Sequence, residues 1–209
     1  MDLERFRELP LMGILRGIEP DAIEPLVDTI ISSGLSTVEI ALNTEGACEL
    51  ISRVLEVASG NLMVGAGTVL NVEDLYRALD SGAGFIVSPV LVDEVVEECV
   101  KKKVPVFPGA LTPHEIHRAW KKGATMVKLF PAKLFGPAYI KEMKGPFNNV
   151  EILACGGVTP NTIRQFLSSG ASAVAFGSSV FRQELIRQGK FSHIKKDIKA
   201  LIKAFQACK

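Results

Sequence analysis

Short apolar runs rich in valine and isoleucine recur along the whole chain, centred near Ile14, Ile40, Val64, Ile86, Val106, Lys128, Ile152 and Val174. Successive centres are 26, 24, 22, 20, 22, 24 and 22 residues apart. One strand, one helix and two short loops occupy about that length, and parallel neighbours need such a crossover. Eight strands alternating with helices imply a parallel sheet, either wound open or closed into a barrel.

A finer repeat decides between the two. Ser33-Gly34-Leu35-Ser36, Ser81-Gly82-Ala83-Gly84, Lys122-Gly123-Ala124-Thr125 and Ser169-Gly170-Ala171-Ser172 share one pattern. Each reads as a helix end with glycine in a left-handed position, followed by a strand. The glycines are 48, 41 and 47 residues apart, two strand–helix units each time. The intervening strands also end alike, in Gly17-Ile18-Glu19-Pro20, Gly67-Thr68-Val69-Leu70-Asn71, Gly109-Ala110-Leu111-Thr112-Pro113 and Gly157-Val158-Thr159-Pro160. There a glycine loop leads into a polar cap, usually with proline at the first helical position. A unit repeated four times implies a closed, nearly fourfold object, since the edges of an open sheet would not treat its strands equally. The expectation is a (β/α)8 TIM barrel, one domain over residues 1–209, with an extra C-terminal helix from about Phe191 to Ala207.

Composition narrows the partners. At 47% apolar and 22% charged, 209 residues are ordinary globular material able to bury a large core. A formal charge of +1 offers no field for steering a polyanion, so nucleic acid is not expected. No apolar run approaches the roughly 20 residues that cross a bilayer, and the charged start lacks a secretory signal's apolar stretch. Cys48, Cys99, Cys155 and Cys208 are far apart and form no C-x-x-C pair, which fits free thiols in a reducing cytoplasm.

Five residues beyond each repeat glycine stand Glu39, Val87, Lys128 and Ala175. In this barrel type, alternate strands contribute four side chains to each interior layer. If the register holds, two members of one layer are charged and their companions are small. Period-two alternation agrees: Met126, Lys128 and Phe130 share one face of their strand, and Val127 and Leu129 the other. A lysine in mid-strand is costly unless paired or neutral. Desolvation favours the free amine that attacks a carbonyl, and a nearby carboxylate can shuttle protons once an imine has formed. A buried ion pair without chemistry is the competing reading. Placement towards the C-terminal ends of barrel strands, where active sites of this fold lie, favours catalysis.

Cys155-Gly156-Gly157-Val158-Thr159-Pro160-Asn161 follows the seventh strand and Phe176-Gly177-Ser178-Ser179 the eighth. Glycines let backbone N–H groups approach an anion, and these two loops hold a phosphate in many such barrels. A single glycine would merely turn the chain; two motifs in the two expected loops imply a substrate that is both a carbonyl compound and a phosphate ester.

From about Leu9 to Phe181 the chain resembles the 2-keto-3-deoxy-6-phosphogluconate (KDPG) and 4-hydroxy-2-oxoglutarate (KHG) aldolases, class I aldolases on a small barrel. The markers are Ile14-Leu15-Arg16, Val38-Glu39-Ile40, Gly65-Ala66-Gly67-Thr68-Val69, Ser88-Pro89, Pro108-Gly109, Lys128-Leu129-Phe130-Pro131, Gly145-Pro146-Phe147, Gly156-Gly157-Val158 and Gly177-Ser178. The resemblance implies Lys128 as the Schiff-base lysine and Glu39 as the acid/base. It further implies Thr68 on the pyruvate carboxylate and Arg16 at the mouth, suited to a carboxylate or the phosphate. Gly156, Gly157, Gly177 and Ser178 match the phosphate loops, and Pro89, Phe130 and Cys155 are expected to line the substrate pocket. Neither a cofactor nor a metal is implied, and the family is usually homotrimeric.

Two departures stand out. Asn43-Thr44 replaces the arginine and threonine found in many phosphogluconate aldolases, and Cys155 replaces a threonine that bears on stereochemical preference. Leu15-Arg16-Gly17-Ile18 with Ala41-Leu42-Asn43 is closer to the 2-keto-3-deoxy-6-phosphogalactonate branch. The implied reaction is retro-aldol cleavage of either epimer to pyruvate and glyceraldehyde 3-phosphate, with cleavage of 4-hydroxy-2-oxoglutarate to pyruvate and glyoxylate as a further activity. Two other readings compete: a phosphate-binding barrel synthase or isomerase, which has no reason to bury Lys128 beside Glu39, and a non-catalytic sugar-phosphate sensor.

Elsewhere the bland readings prevail. His114 and His117 are spaced by three after a cap and an N1 proline, as in an exposed first helical turn rather than a metal site. The lysines at 195, 196, 199 and 203 form a basic stripe opposite Ile198, Leu201, Ile202 and Phe205, the pattern of a helix docked on the barrel.

Overall fold

A computed structural model describes residues 1–208; Lys209, the last position of the expected domain, lies outside them. The strands are β1 (Leu11–Leu15), β2 (Thr37–Ala41), β3 (Met63–Gly67), β4 (Ile86–Val87), β5 (Val106–Phe107), β6 (Gly109–Ala110), β7 (Val127–Leu129), β8 (Ile152–Cys155) and β9 (Ala173–Phe176). All pairings are parallel, in the order β5-β4-β3-β2-β1-β9-β8-β7-β6. Nine segments stand where eight strands were expected, because the fifth is parted at Pro108, which has no N–H to give to a ladder. Its carbonyl still accepts from Lys128 N at 2.9 Å, and Val106 O accepts from Thr125 N at 2.9 Å, so β5 and β6 together close the barrel. The fold is a TIM-type α/β barrel.

Its helices are α1 (Leu3–Glu8), α2 (Ile23–Ser32), α3 (Ala47–Ala58), α4 (Val72–Asp80), α5 (Asp93–Lys101), α6 (Pro113–Lys121), α7 (Gly136–Lys144), α8 (Ile163–Ser168), α9 (Gln183–Arg187) and α10 (Phe191–Gln206). The repeat glycines Gly34, Gly82, Gly123 and Gly170 have φ of 89°, 93°, 95° and 102°, so each ends its helix in the left-handed region. Caps divide two and two. Asn71 accepts from Asp74 N at 2.7 Å, and Thr112 forms a capping box with Glu115. Glu19 and Thr159 do not cap through their side chains as expected. Glu19 pairs instead with Arg187 at 3.2 Å, and Thr159 sits in a turn that delays α8 to Ile163.

Two apolar cores follow from the strand period. Val127 and Leu129 face the helices, whereas Met126, Phe107, Leu153 and Met12 fill the barrel interior. The interior is floored by α1, an element the sequence periodicity does not announce. Phe6 meets Phe107 edge-on with ring centroids 6.0 Å apart, and Phe107 meets Phe85 at 5.8 Å. Each such ring, fully buried, contributes about 1.5–3 kcal/mol. Arg5 donates to the Asn61 carbonyl at 2.7 Å and Arg7 pairs with Glu151 at 2.9 Å, tying the plug down. With this end stoppered, the hollow opens at the C-terminal ends of the strands.

α10 lays Ile194, Ile198 and Leu201 against α2 and α8 and leaves Lys196, Lys199 and Lys203 exposed. Among the described residues, no helix is long and apolar enough to cross a membrane. His114 and His117 are both exposed on α6, His117 stacking on Phe147.

Candidate active site

Glu39 is the middle residue of β2 and Lys128 the middle residue of β7, so inward-pointing alternation sends both into the barrel. Lys128 was expected in mid-strand and stands there, and Glu39 likewise has two strand residues on either side of it. Lys128 Nζ lies 3.8 Å from Glu39 Oε1, with side-chain exposures of 7% and 2%. That is an ion pair with a gap, too long for a hydrogen bond. The other carboxylate oxygen, Oε2, is buried and accepts no hydrogen bond from a protein group. Burial raises the Glu39 carboxyl above its ordinary range, against the opposing charges of Lys128 and Arg16. Val87 and Ala175, the expected companions in this layer, are buried and small.

Around this pair stand the other expected residues. The Phe130 ring centroid is 5.5 Å from Lys128 Nζ, and the ring is 39% exposed, an apolar wall between amine and solvent. Cys155 ends β8 and is 3% exposed. Burial pushes its thiol up, with Lys128, Glu39 and Arg16 all acting on it, so it belongs to the same hollow. A thiol so placed is a packing group rather than a nucleophile. Arg16 follows β1 with its side chain exposed at the mouth, near enough for its charge to lower both Glu39 and Cys155.

Thr68 follows β3 with φ of 61°, a left-handed conformation that costs a β-branched residue about 1–3 kcal/mol. Strain of this kind persists only where the surroundings impose it. Pro89 is half-buried beyond β4, where Ser88 Oγ donates to Val90 O at 2.8 Å. The β4 end lies so close to β6 that a β-carbon on Gly109 would stand 2.1 Å from the Pro89 carbonyl oxygen.

The two glycine loops are laced together. Ser179 Oγ donates to Val158 O at 2.8 Å, and Gly177 O accepts from Val180 N and Phe181 N at 2.9 and 2.8 Å. Gly156 and Gly157 have φ of 101° and 79°, and Thr162 Oγ1 donates to Gly157 O at 2.8 Å. Ser178 is exposed at the mouth. Such backbone can turn N–H groups towards an anion.

Several residues that shape this site were not picked out from sequence. Gly67 makes room for Glu39, Ser179 joins the loops, and Thr44 and Gln183 meet at the backbone of Arg16. Gly67, Thr44 and Ser179 belong to sequence motifs, but their spacing alone carries no sign of these contacts; Gln183 has no such signal.

A family model described as KDPG and KHG aldolase matches residues 3–197. The 2-dehydro-3-deoxy-6-phosphogalactonate aldolase of Escherichia coli (strain K12) is 35% identical over 176 residues, 84% of this chain and 86% of its own. The 2-dehydro-3-deoxy-phosphogluconate aldolase of Haemophilus influenzae is 32% identical over 201 residues, 96% of this chain and 94% of its own. A solved native KDPGal structure superposes with a TM-score of 0.90 at 32% identity, covering 96% of each chain.

Proposed function

Because the chain belongs to the KDPG and KHG aldolase family, we propose that it works as a class I aldolase through Lys128 and Glu39. The substrate is 2-keto-3-deoxy-6-phosphogluconate or its galactonate epimer, and the products are pyruvate and glyceraldehyde 3-phosphate. Cleavage of 4-hydroxy-2-oxoglutarate to pyruvate and glyoxylate is a secondary activity of the same site.

In this mechanism the Lys128 amine adds to the C2 ketone and water leaves, forming an iminium. The Glu39 carboxylate, directly or through one water, takes the C4 hydroxyl proton. The C3–C4 bonding pair flows into the iminium, giving an enamine as glyceraldehyde 3-phosphate departs. Protonation at C3 and hydrolysis return pyruvate and the free amine. Thr68 and Arg16 hold the carboxylate end, with Pro89, Phe130 and Cys155 as walls. Gly156, Gly157, Gly177 and Ser178 bind the phosphate, whose remote binding energy orients the chain.

One observation carries the assignment: amine and carboxylate are buried together across a 3.8 Å gap, in a hollow that opens at the C-terminal ends of the strands. A purely structural ion pair would close that gap to hydrogen-bond distance. For the assembly we assign a homotrimer in the cytoplasm; Leu134, Phe135 and Val90, 64%, 57% and 52% exposed near the mouth, offer apolar surface for contact between copies.

Borohydride reduction in the presence of pyruvate tests the chemistry. A pyruvyl adduct on Lys128, absent from Lys128→Ala together with turnover, is the expected result. An unlabelled wild type would favour the phosphate-binding synthase or sensor readings; normal activity in Lys128→Ala would end the assignment.

A further inference from the structure

Arg16 has an exposed side chain, yet its backbone is gripped on both sides of one peptide unit. Gly17 N–H donates to Thr44 Oγ1 at 3.0 Å, and the Arg16 carbonyl oxygen lies 3.5 Å from Gln183 Nε2. Thr44 comes from the loop after β2 and Gln183 from the start of α9, beyond the Gly177–Ser178 loop. Loops that are 27 and 167 residues away in sequence thus converge on the peptide that follows β1.

The Thr44 side of the grip is firm. Thr44 is 7% exposed, its N–H donates to Ala41 O at 2.9 Å and its carbonyl accepts from Ala47 N at 3.2 Å. With both backbone groups engaged, the hydroxyl has little freedom to drift. Gly17 has φ of 62°, and a β-carbon there would stand 2.3 Å from Gln183 Nε2, so only glycine lets the second side chain reach past. A loop tip would ordinarily leave an arginine backbone loose; this one is fastened.

We infer that Thr44 is a positioning residue that holds the Arg16 guanidinium over the hollow of Glu39 and Lys128, with Gln183 as the second grip. The inference rests on the aldolase reading above, in which Arg16 meets the carboxylate end of the substrate. Holding a long cationic side chain from its backbone removes part of the ordering cost that substrate binding would otherwise meet. It also sets where the positive charge stands relative to Glu39. The groups facing that carboxyl are Lys128 from β7, Arg16 from the β1 loop and Cys155 from β8.

Steady-state kinetics against pH for Thr44→Val, Thr44→Ser, Gln183→Ala, Arg16→Gln and Arg16→Gln/Thr44→Val provide the test. Thr44→Val leaves the Gly17 N–H without its acceptor and is expected to lower kcat/KM about 5- to 30-fold, mainly through KM. Its acid limb should move to higher pH, as in Arg16→Gln, because the positive charge no longer holds Glu39 down. Thr44→Ser keeps the hydroxyl and should restore wild-type values. Gln183→Ala should show a smaller change in the same direction.

In the Arg16→Gln background, Thr44→Val should add nothing. An undiminished further loss there would overturn the inference, as would wild-type KM and pH profile in Thr44→Val. Should Thr44→Val fail to fold by circular dichroism, Gln183→Ala is judged by the same criteria, alone and with Arg16→Gln. A wild type with neither turnover nor a pyruvate adduct points to failure of the aldolase reading. An active wild type with an indifferent Arg16→Gln overturns the positioning role itself.

Discussion

The carboxylate of Glu39 occupies the space that a side chain on Gly67 would take. A β-carbon built on Gly67 would stand 2.6 Å from Glu39 Oε1 and 2.8 Å from Cδ. Gly67 ends β3, the neighbour of β2, and pairs in register with Ala41, two residues beyond Glu39. The acidic side chain therefore lies across the adjacent strand, over the one residue type that leaves it room. Glycine weakens a strand, and here the lost strand stability leaves a slot for the carboxylate.

Gly67→Ala should disable the base without removing it. Its backbone tolerates alanine, but the added methyl displaces the carboxylate, and misplacement of that size costs about 10- to 100-fold in kcat. Lys128 is not displaced, so reduction with borohydride should still attach pyruvate. Wild-type kcat in this variant would show that the position of Glu39 does not matter to turnover.

The pH dependence follows from the raised Glu39 carboxyl. As a base it must be ionised, so the acid limb of kcat/KM should lie above the ordinary carboxylate value of 4.5. Stability runs the other way. A carboxyl with a raised folded value binds its proton more tightly when folded, so its stabilising contribution is present below 4.5. That contribution is lost as pH rises from there through the folded value. Urea unfolding of wild type and Glu39→Gln should diverge across that window, wild type losing stability relative to the variant. Parallel curves would show that the carboxyl titrates normally.

Gly157→Ala tests the phosphate end. At φ of 79° alanine costs about 1–2 kcal/mol. Its methyl would also stand 2.7 Å from Lys133 Cβ, so the loop must move. KM for the phosphorylated substrate should rise about tenfold with kcat nearly kept. Inhibition by inorganic phosphate should weaken by a similar factor. Unchanged phosphate inhibition would place the anion elsewhere.

Much of this molecule was settled by the linear order of its residues. The spacing of apolar centres from Ile14 to Val174, and the glycines at 34, 82, 123 and 170, specify alternation and closure, because strand period and left-handed helix ends are local properties. The same register placed Glu39 and Lys128 in one interior layer and turned Val127 and Leu129 outward, since a strand offers only two faces. The tertiary structure alone decided how these parts meet. The floor laid by Phe6 depends on rings from three distant segments. The slot at Gly67, the strained Thr68 and the grip of Thr44 and Gln183 on Arg16 arise from contacts between different strands and loops. Sequence periodicity records which way a side chain points, but not the ångström-scale distance to a neighbour brought in by another part of the chain.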